Sequence, residues 1–587
     1  MQSNGLTRLT SLATPIFWGR LATALVQALF LYLLAEAMIE PKSWPATHPA
    51  IYYPALLVFN FVPLIIIFGL GKIPLRWLAL WALTATLVLA GLGHHQAVRG
   101  EFTQLFSNGW LFWPRLITVF GLSIFISQAL IAASSEAHRF RPPYNRHFEI
   151  AWRQGLQLAL AFFFTLIFWV ILELGTHLFW IIGIHTLTDL IEKRWFYIPA
   201  TTFAVAMAIH ATDVADTILR ASRTLILTLF SWLLPILTTI VGAFLITWPF
   251  AAQHQAHIAT AYILPIALWL VLLINSTYQD GAANDARGAV RRFAARAGGI
   301  ELLGLTALAT WAIAVRVGEY GWTVDRIEAA AITLLIAGYA IGYGISALRR
   351  TSWLGWLEIT NFVMAYIWLA LVLALFSPLA DPSRLMVADQ LARLRSGAVT
   401  PEKFDFAALK FDGASWGKAA LTELAAQSGD ARAQSIAQKA TAALAQISRF
   451  GANFNNGPSP AADIAHYDIE IFPAIATLPP EFYTQAFWRN LQPSEPQLCM
   501  SPFVCEAHFI KLAPGSADAI LFISGRKSYV FSQDATQKWQ KIGSVLLPFG
   551  CWKLKASLKR NEISAAPAEF PDLMIGGQRV PIIPDCH

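Results

Sequence analysis

Apolar residues are gathered into long runs separated by short polar loops through the first two-thirds of the chain. The runs are Leu21–Met38, Ile51–Leu70, Leu75–Gly93, Leu116–Ala133, Gly155–Ile184, Phe196–Ala211, Leu225–Trp248, Ile258–Thr277, Ile300–Val315, Ile327–Ala347 and Leu357–Phe376. A helix needs ~20 mostly apolar residues to cross a bilayer, so this pattern predicts eleven spans. The weakest is Phe196–Ala211, short and with Pro199 near its edge. The fifth run is long enough to tilt or to extend beyond the hydrocarbon. Met1 to Arg20 is short, and the run after it is too long for a signal-peptide core and has no A-x-A site. It is expected to stay attached as the first span.

After Phe376 the pattern changes, and no later run could span. Ser377-Pro378-Leu379-Ala380-Asp381-Pro382 leaves the membrane. Asp381 to Phe450 reads as helices, with Thr400-Pro401-Glu402 as a capped start and Ala-rich stretches at Trp416–Leu424 and Ala431–Ile447. Asn453–Pro460 is a polar linker. Tyr467–Phe472, Phe503–Leu512, Ala519–Ser524 and Ser528–Ser532 then read as strands. Ser524-Gly525 and Gly576-Gly577 are hairpin-type turns, the second flanked by Leu573-Met574-Ile575 and Val580-Pro581-Ile582. The expected fold class is an all-α polytopic membrane bundle (1–376), a helical segment (377–450) and a small soluble α+β domain (451–587).

Composition agrees. The 587 residues are 56% hydrophobic and only 13% charged, too few ions to cover a water-facing surface of this size. The net charge of +7 does not point to nucleic acid, because much of the Lys and Arg lies in short loops. With the N-terminus in the cytoplasm, sixteen of these cations fall on the inner side: Arg8, Arg20, Lys72, Arg76, Arg139, Arg141, Arg146, Arg153, Arg220, Arg223, Arg287, Arg291, Arg292, Arg296, Arg349 and Arg350. Lys42, Arg99, Lys193, Arg194, Arg316 and Arg326 fall outside, with Arg115 at a boundary. Basic loops resist translocation. The expected orientation therefore has the N-terminus cytoplasmic and, after an odd number of spans, the C-terminal domain in the periplasm or a similar space outside the cytoplasm.

All four cysteines, Cys499, Cys505, Cys551 and Cys586, lie in that tail. In an oxidising compartment they favour structural disulfides, with Cys499–Cys505 and Cys551–Cys586 as the preferred pairing. The alternatives are reduced thiols or a metal site with His508 and His587. The gap between the first two cysteines suits a zinc knuckle poorly, and no cofactor is expected.

Ionisable groups within apolar runs need a reason. Glu173 and His177 lie one helical turn apart on the fifth span. With Glu36, Arg316 and Glu319 near the outer ends of the first and ninth spans, they form a candidate polar site facing the periplasm. The simpler reading is that Glu173 and His177 satisfy each other or a neighbouring Arg. At the cytoplasmic face, Asn275, Gln279 and Asp280 end the eighth span, and Glu358 and Asn361 begin the eleventh. They form a second candidate, whose simpler reading is a turn and an interfacial charge. Arg287, Arg291 and Arg292 nearby either hold anionic lipid or enforce topology. The loop Arg316–Arg326 joins two helices outside and is placed to contact the tail. Walker A, H-E-x-x-H, G-x-S-x-G and G-x-G-x-x-G motifs are absent.

The order of Asn275–Gly281, Glu319–Arg326, Ser377–Pro382 and Gln390-Leu391-Ala392-Arg393-Leu394 resembles the family known as domain of unknown function 4153. That resemblance implies a polytopic bacterial inner-membrane protein and transfers no catalytic residue. The expected role is a non-catalytic cell-envelope factor whose tail binds a periplasmic protein or cell-wall component. The lipid bilayer is the other expected partner. The alternatives are a transporter or lipid flippase using Glu173 and His177, or a membrane-embedded transferase acting on a lipid-linked substrate.

Overall fold

The computed structural model describes residues 3–39, 42–100, 112–139, 141–214, 216–250, 256–281, 288–349 and 355–446. Beyond these it describes 469–473, 477–479, 482, 505–512, 518–524, 527–533, 538–545, 563, 573–575 and 578–580. These residues fall into two compact units, Met1–Ala437 and Gln438–His587.

The first unit opens with α1 (Ser3–Ala37), α2 (Pro49–Gly69), α3 (Leu75–Arg99), α4 (Phe112–Ala137) and α5 (Tyr144–Ile181). After a short α6 (Thr186–Ile191) come α7 (Arg194–Val214), α8 (Asp216–Thr247), α9 (Ala256–Tyr278), α10 (Ala289–Tyr320), α11 (Val324–Leu348) and α12 (Leu357–Leu375). Among the described residues ten helices, α1–α5 and α8–α12, are long and apolar enough to cross a membrane. Their outer surface carries exposed Phe162, Ile171, Leu178, Leu225, Ile240 and Ile246, a surface that water would penalise and lipid would not.

The sixth sequence run, Phe196–Ala211, forms α7, which is less apolar because its last two turns carry His210 and Asp213. It nonetheless runs antiparallel to α1 for the length of a span. Arg194 at its start lies 3.8 Å from Glu36, and Asp213 at its end pairs with Arg20. At 1.5 Å per residue these contacts are about 24 Å apart along α1 and about 28 Å apart along α7, close to the hydrocarbon thickness. Between them Ala206, Ala208 and Ile209 pack with Ala24, Ile67, Phe68 and Ala161 in a buried cluster. Small side chains allow this close approach, and they also give α7 its modest hydropathy.

Polar contacts sort the helix ends into two sets. The near end holds the start of α1, and the far end holds its finish. A parallel register links α8 and α10. Arg291 donates to Ser231 (3.0 Å), and Cβ atoms placed on Gly298, Gly242 and Gly304 would meet Thr238, Glu301 and Leu245 at 3.1, 3.0 and 3.0 Å. The offset between partners stays at 59 or 60 residues over four levels, so α8 and α10 run the same way and α9 returns between them. A buried core of α8–α11 centres on Leu234, Leu270, Leu302 and Tyr343. A second core joins α2–α5 with α12 around Ile65, Leu89, Phe120 and Val372.

The helices after the last span belong to the same compact unit as the bundle through residue 437. They are α13 (Pro382–Ser396), α14 (Phe406–Asp412), α15 (Ala414–Ala425) and α16 (Ala431–Ala445), the last crossing the unit boundary. The capped start expected at Thr400-Pro401 is not a helix start. Residues 401–403 form a turn, and α14 begins after Asp405, whose side chain accepts from the Ala408 N–H (2.9 Å). Pro401 suits a turn as well as a first helical position, and only Asp405 has a backbone N–H in reach.

The second unit contains a five-stranded sheet in the order β1 (Ile469–Phe472), β2 (Cys505–Lys511), β3 (Asp518–Ser524), β4 (Lys527–Gln533), β5 (Trp539–Val545). β1 is parallel to β2, and the remaining pairs are antiparallel. Ile520 and Phe522 pack on one face with Phe482 and Phe531, while Leu521 and Ile523 pack on the other with Val530 and Ile563. Both faces of β3 are therefore covered, which is why it reads as a continuous apolar run. β6 (Leu573–Ile575) and β7 (Gln578–Val580) form the hairpin expected at Gly576-Gly577. The sequence pattern does not predict β5. Lys541, Gly543 and Ser544 break its alternation, and it pairs through a register shift at Val530/Phe531. Of the cysteines, Cys499, Cys551 and Cys586 lie outside the described residues, and Cys505 opens β2. The two expected bridges therefore lie outside the described part of the molecule.

Candidate functional site

The residues expected to form the periplasm-facing site do not share one surroundings. Glu36 pairs with Arg194. Glu173 and His177 point outward from α5, with side chains 60% and 70% exposed and 3.9 Å apart, and His177 Nδ1 also bonds the Glu173 carbonyl (2.9 Å). Counted along α5 from Gln157, Glu173 stands level with Glu36, at the boundary of the span rather than at its middle. The stretch expected as a loop over Arg316–Arg326 is helical except for residues 321–323: Arg316, half-buried, and Glu319, exposed, lie in the last turns of α10.

The second expected set is partly assembled. Asn275 from α9 and Asn361 from α12 meet at the near end with two tyrosines that sequence reasoning missed. Asn361 Nδ2 donates to Asn275 Oδ1 (2.5 Å) and to Tyr144 (2.9 Å). Tyr144 donates to Asn275 Oδ1 (3.4 Å), Asn275 Nδ2 donates to Tyr343 (2.6 Å), and Tyr343 donates to Asn361 Oδ1 (2.5 Å). Four helices thus share one closed ring of hydrogen bonds. Inside an apolar bundle a satisfied ring fixes a unique packing, while a broken one leaves costly unpaired groups. Glu358 accepts from Tyr278 (2.8 Å), and Gln279 adopts a left-handed conformation (φ 57°) as the chain turns toward Asp280 and Gly281. The tyrosines were hidden because Tyr343 sits in a run of small and apolar residues, where hydropathy counts it as filler.

Two ionic nets escaped the sequence reading. At the near end Asp213 takes Arg20, Lys72 (2.7 Å) and the Gln157 amide together. Arg20, 2% exposed, spends its remaining donors on the Ile67 and Leu70 carbonyls (3.0 and 3.2 Å) at the end of α2. Burial pushes the Lys72 ammonium below its ordinary range, against the pull of Asp213.

At the far end Asp381 is fully buried and joins three jobs. Its Oδ1 accepts from the Ser383 and Arg384 N–H groups (2.9 and 3.2 Å), capping α13. Its Oδ2 accepts from His95 Nε2 (2.9 Å) and faces Arg99 Nε (3.3 Å), both on the last turns of α3. Arg99 also donates to Ser383 (2.9 Å), and Trp416 of α15 lies against the His95 ring (6.0 Å between centroids).

A second clamp holds the same helix. Gly321 (φ 76°) ends α10, and the short loop it opens toward α11 brings the Trp322 N–H to Asp389 (2.8 Å). Gln390 donates to the Tyr320 and Trp322 carbonyls (3.1 and 2.9 Å), and Arg393 donates to the Glu319 carbonyl (2.9 Å). The expected contact between this loop and the tail is present, and the loop makes it through backbone atoms.

In the second unit, His508 is buried, stacked on Phe472 (4.7 Å between centroids) and hydrogen-bonded to Glu506 (3.1 Å). Comparison of the chain with protein-family models, with curated proteins and with solved structures finds no match in any of the three.

Proposed function

We propose that the protein is an eleven-span bacterial inner-membrane protein that acts as a non-catalytic envelope factor. Its bundle serves as a rigid anchor for a periplasmic C-terminal binding domain. One observation carries the reading: α13 is fastened by two separate polar clamps to the far end of the bundle, opposite the start of α1. α3 supports this most directly, because it begins beside Lys72 at the near end and finishes at Arg99 against Asp381. With the basic near end in the cytoplasm, α13 and the residues after it stand in the periplasm. The length of α7 supports the odd number of spans.

The polar groups inside the bundle also favour an anchor. The tyrosine–asparagine ring is closed on itself, and the ionic nets tie helices to each other. Glu173 and His177 face outward, which gives a transport path between helices no support from that pair. The resemblance to the domain of unknown function 4153 family fits the same reading. Its four stretches contribute Asn275, Gly321, Asp381, Gln390 and Arg393, all of them parts of the clasps.

The test uses the full chain in native membranes. A phosphatase reporter behind His587 should be active outside the cytoplasm. A photo-crosslinker at the exposed Ile542 of β5 should repeatedly join one envelope component. Reporter activity confined to the cytosol, or crosslinks to lipid alone, overturns the proposal.

A further inference from the structure

One carboxylate inside the bundle belongs to none of these clasps. Glu301 lies on α10 about 8 Å beyond Arg296 and about 28 Å short of Tyr320 along the helix axis, at hydrocarbon depth on the near side. Its Oε2 is buried without a hydrogen-bond partner, and among the described residues no cation pairs with it. The carboxyl sits where α8 has no side chain. A Cβ on Gly242 would come within 3.0 Å of Oε1, and Thr238 and Leu245 pack one turn to either side against Gly298 and Gly304. Gly242 therefore makes a notch that the carboxyl fills.

The charged groups of the neighbouring helices lie elsewhere. Between Thr224 and Thr247 α8 carries none, and neither Ile258–Tyr278 of α9 nor Ala329–Leu348 of α11 carries any. The nearest are Arg291, Arg292 and Arg296 at the near end of α10 itself. Arg291 is committed to Ser231 and to the face of Trp232 (4.9 Å). Asp325, Arg326 and Glu328 stand at the far end of α11, and Glu358 is bonded to Tyr278. Thr238 donates its hydroxyl to the Leu234 and Pro235 carbonyls (3.0 and 3.1 Å), so it is spent on its own helix.

We propose that Glu301 is an intramembrane proton-binding site, its carboxyl held as the neutral acid in the Gly242 notch between α8 and α10. A bare carboxylate in hydrocarbon without a counter-ion is far too costly, and taking up a proton is the route such groups take. A metal cation in place of the proton would need several oxygen ligands, and the notch supplies one carboxylate.

The experiment is labelling with dicyclohexylcarbodiimide, a lipid-soluble reagent that attacks protonated carboxyls. The acid proton moves to a reagent nitrogen while the carboxyl oxygen adds to the central carbon. The adduct rearranges to an N-acylurea that keeps every atom of the reagent. Full-length protein in native membranes is labelled and the site mapped by peptide mass. Label is expected on Glu301, falling about tenfold per pH unit once the acid titrates. It should be absent from Glu301→Gln and unaffected by sodium. A water-soluble carbodiimide should label the exposed Glu173 and spare Glu301. No label on Glu301 in the wild-type chain, labelling independent of pH, or protection by sodium overturns the proposal. Because the wild-type site is mapped directly, the result stands even if the Gln variant folds poorly. Neither the reporter nor the crosslinker at Ile542 depends on Glu301, so the two proposals fail separately.

Discussion

Asp381→Asn is the most informative perturbation of the far-end clamp. Asparagine keeps an Oδ1 that can accept from the Ser383 and Arg384 N–H groups, so the cap of α13 survives. The charge is lost, and Arg99, with a side chain 9% exposed, is left without its carboxylate. Breaking a buried ion pair from one side costs about 3–5 kcal/mol. Arg99 retains Ser383, so the lower end applies, about 3 kcal/mol. At ~1.4 kcal/mol per factor of ten, local opening of α13 should rise by roughly 150-fold. Hydrogen exchange of peptides across 382–396, tracked by mass spectrometry on the detergent-solubilised full chain, reads this directly. Asp381→Ala should add about 1 kcal/mol, roughly another fivefold, because the cap goes too. Adding Arg99→Leu to Asp381→Asn should recover most of the loss, since no uncompensated charge remains. Unchanged exchange in Asp381→Asn would refute the reasoning, because a clamp that carries no energy cannot fasten α13.

The remaining contacts make further predictions. Asp213→Asn strands Arg20 and Lys72 together and should destabilise the bundle by about 3 kcal/mol, seen as loss of monodisperse protein on size exclusion. A second substitution, Arg20→Met, should partly restore it. Gly321→Ala places a Cβ 2.6–2.7 Å from Gln390, Arg393 and Asp389 at a positive φ. It should cost about 1–3 kcal/mol and raise exchange in α13 without touching the near end. Glu173→Gln and His177→Ala lie on an exposed surface and should shift thermal stability by less than about 0.5 kcal/mol. A larger shift would mean that the pair is packed against another surface in the membrane.

Several features of this molecule were legible from the residues alone. A run such as Leu225–Trp248 can do little but form a membrane-length helix, because every backbone polar group in an apolar solvent must be bonded within its own segment. The same logic located β3 and the Gly576-Gly577 hairpin, where local pattern and local turn chemistry agree. Asn275, Asn361 and Glu358 were picked out because polar groups at the end of an apolar run stand out, and the structure joins the first two directly.

The partners of those groups were not legible. Arg20 and Asp213 are separated by 193 positions, and His95 and Asp381 by 286. No periodicity or spacing connects residues that meet only when distant helices pack. The packing of α7 was hidden for the same reason: its small residues look weakly apolar to a hydropathy count, and only the structure shows them buried against α1. It passed over Glu301 because a single carboxylate at the edge of a run reads as a boundary. Sequence sets what each segment must bury. The choice of which buried charge meets which counter-charge, or meets none, belongs to the tertiary structure, because ion pairing depends on distance in space and not along the chain.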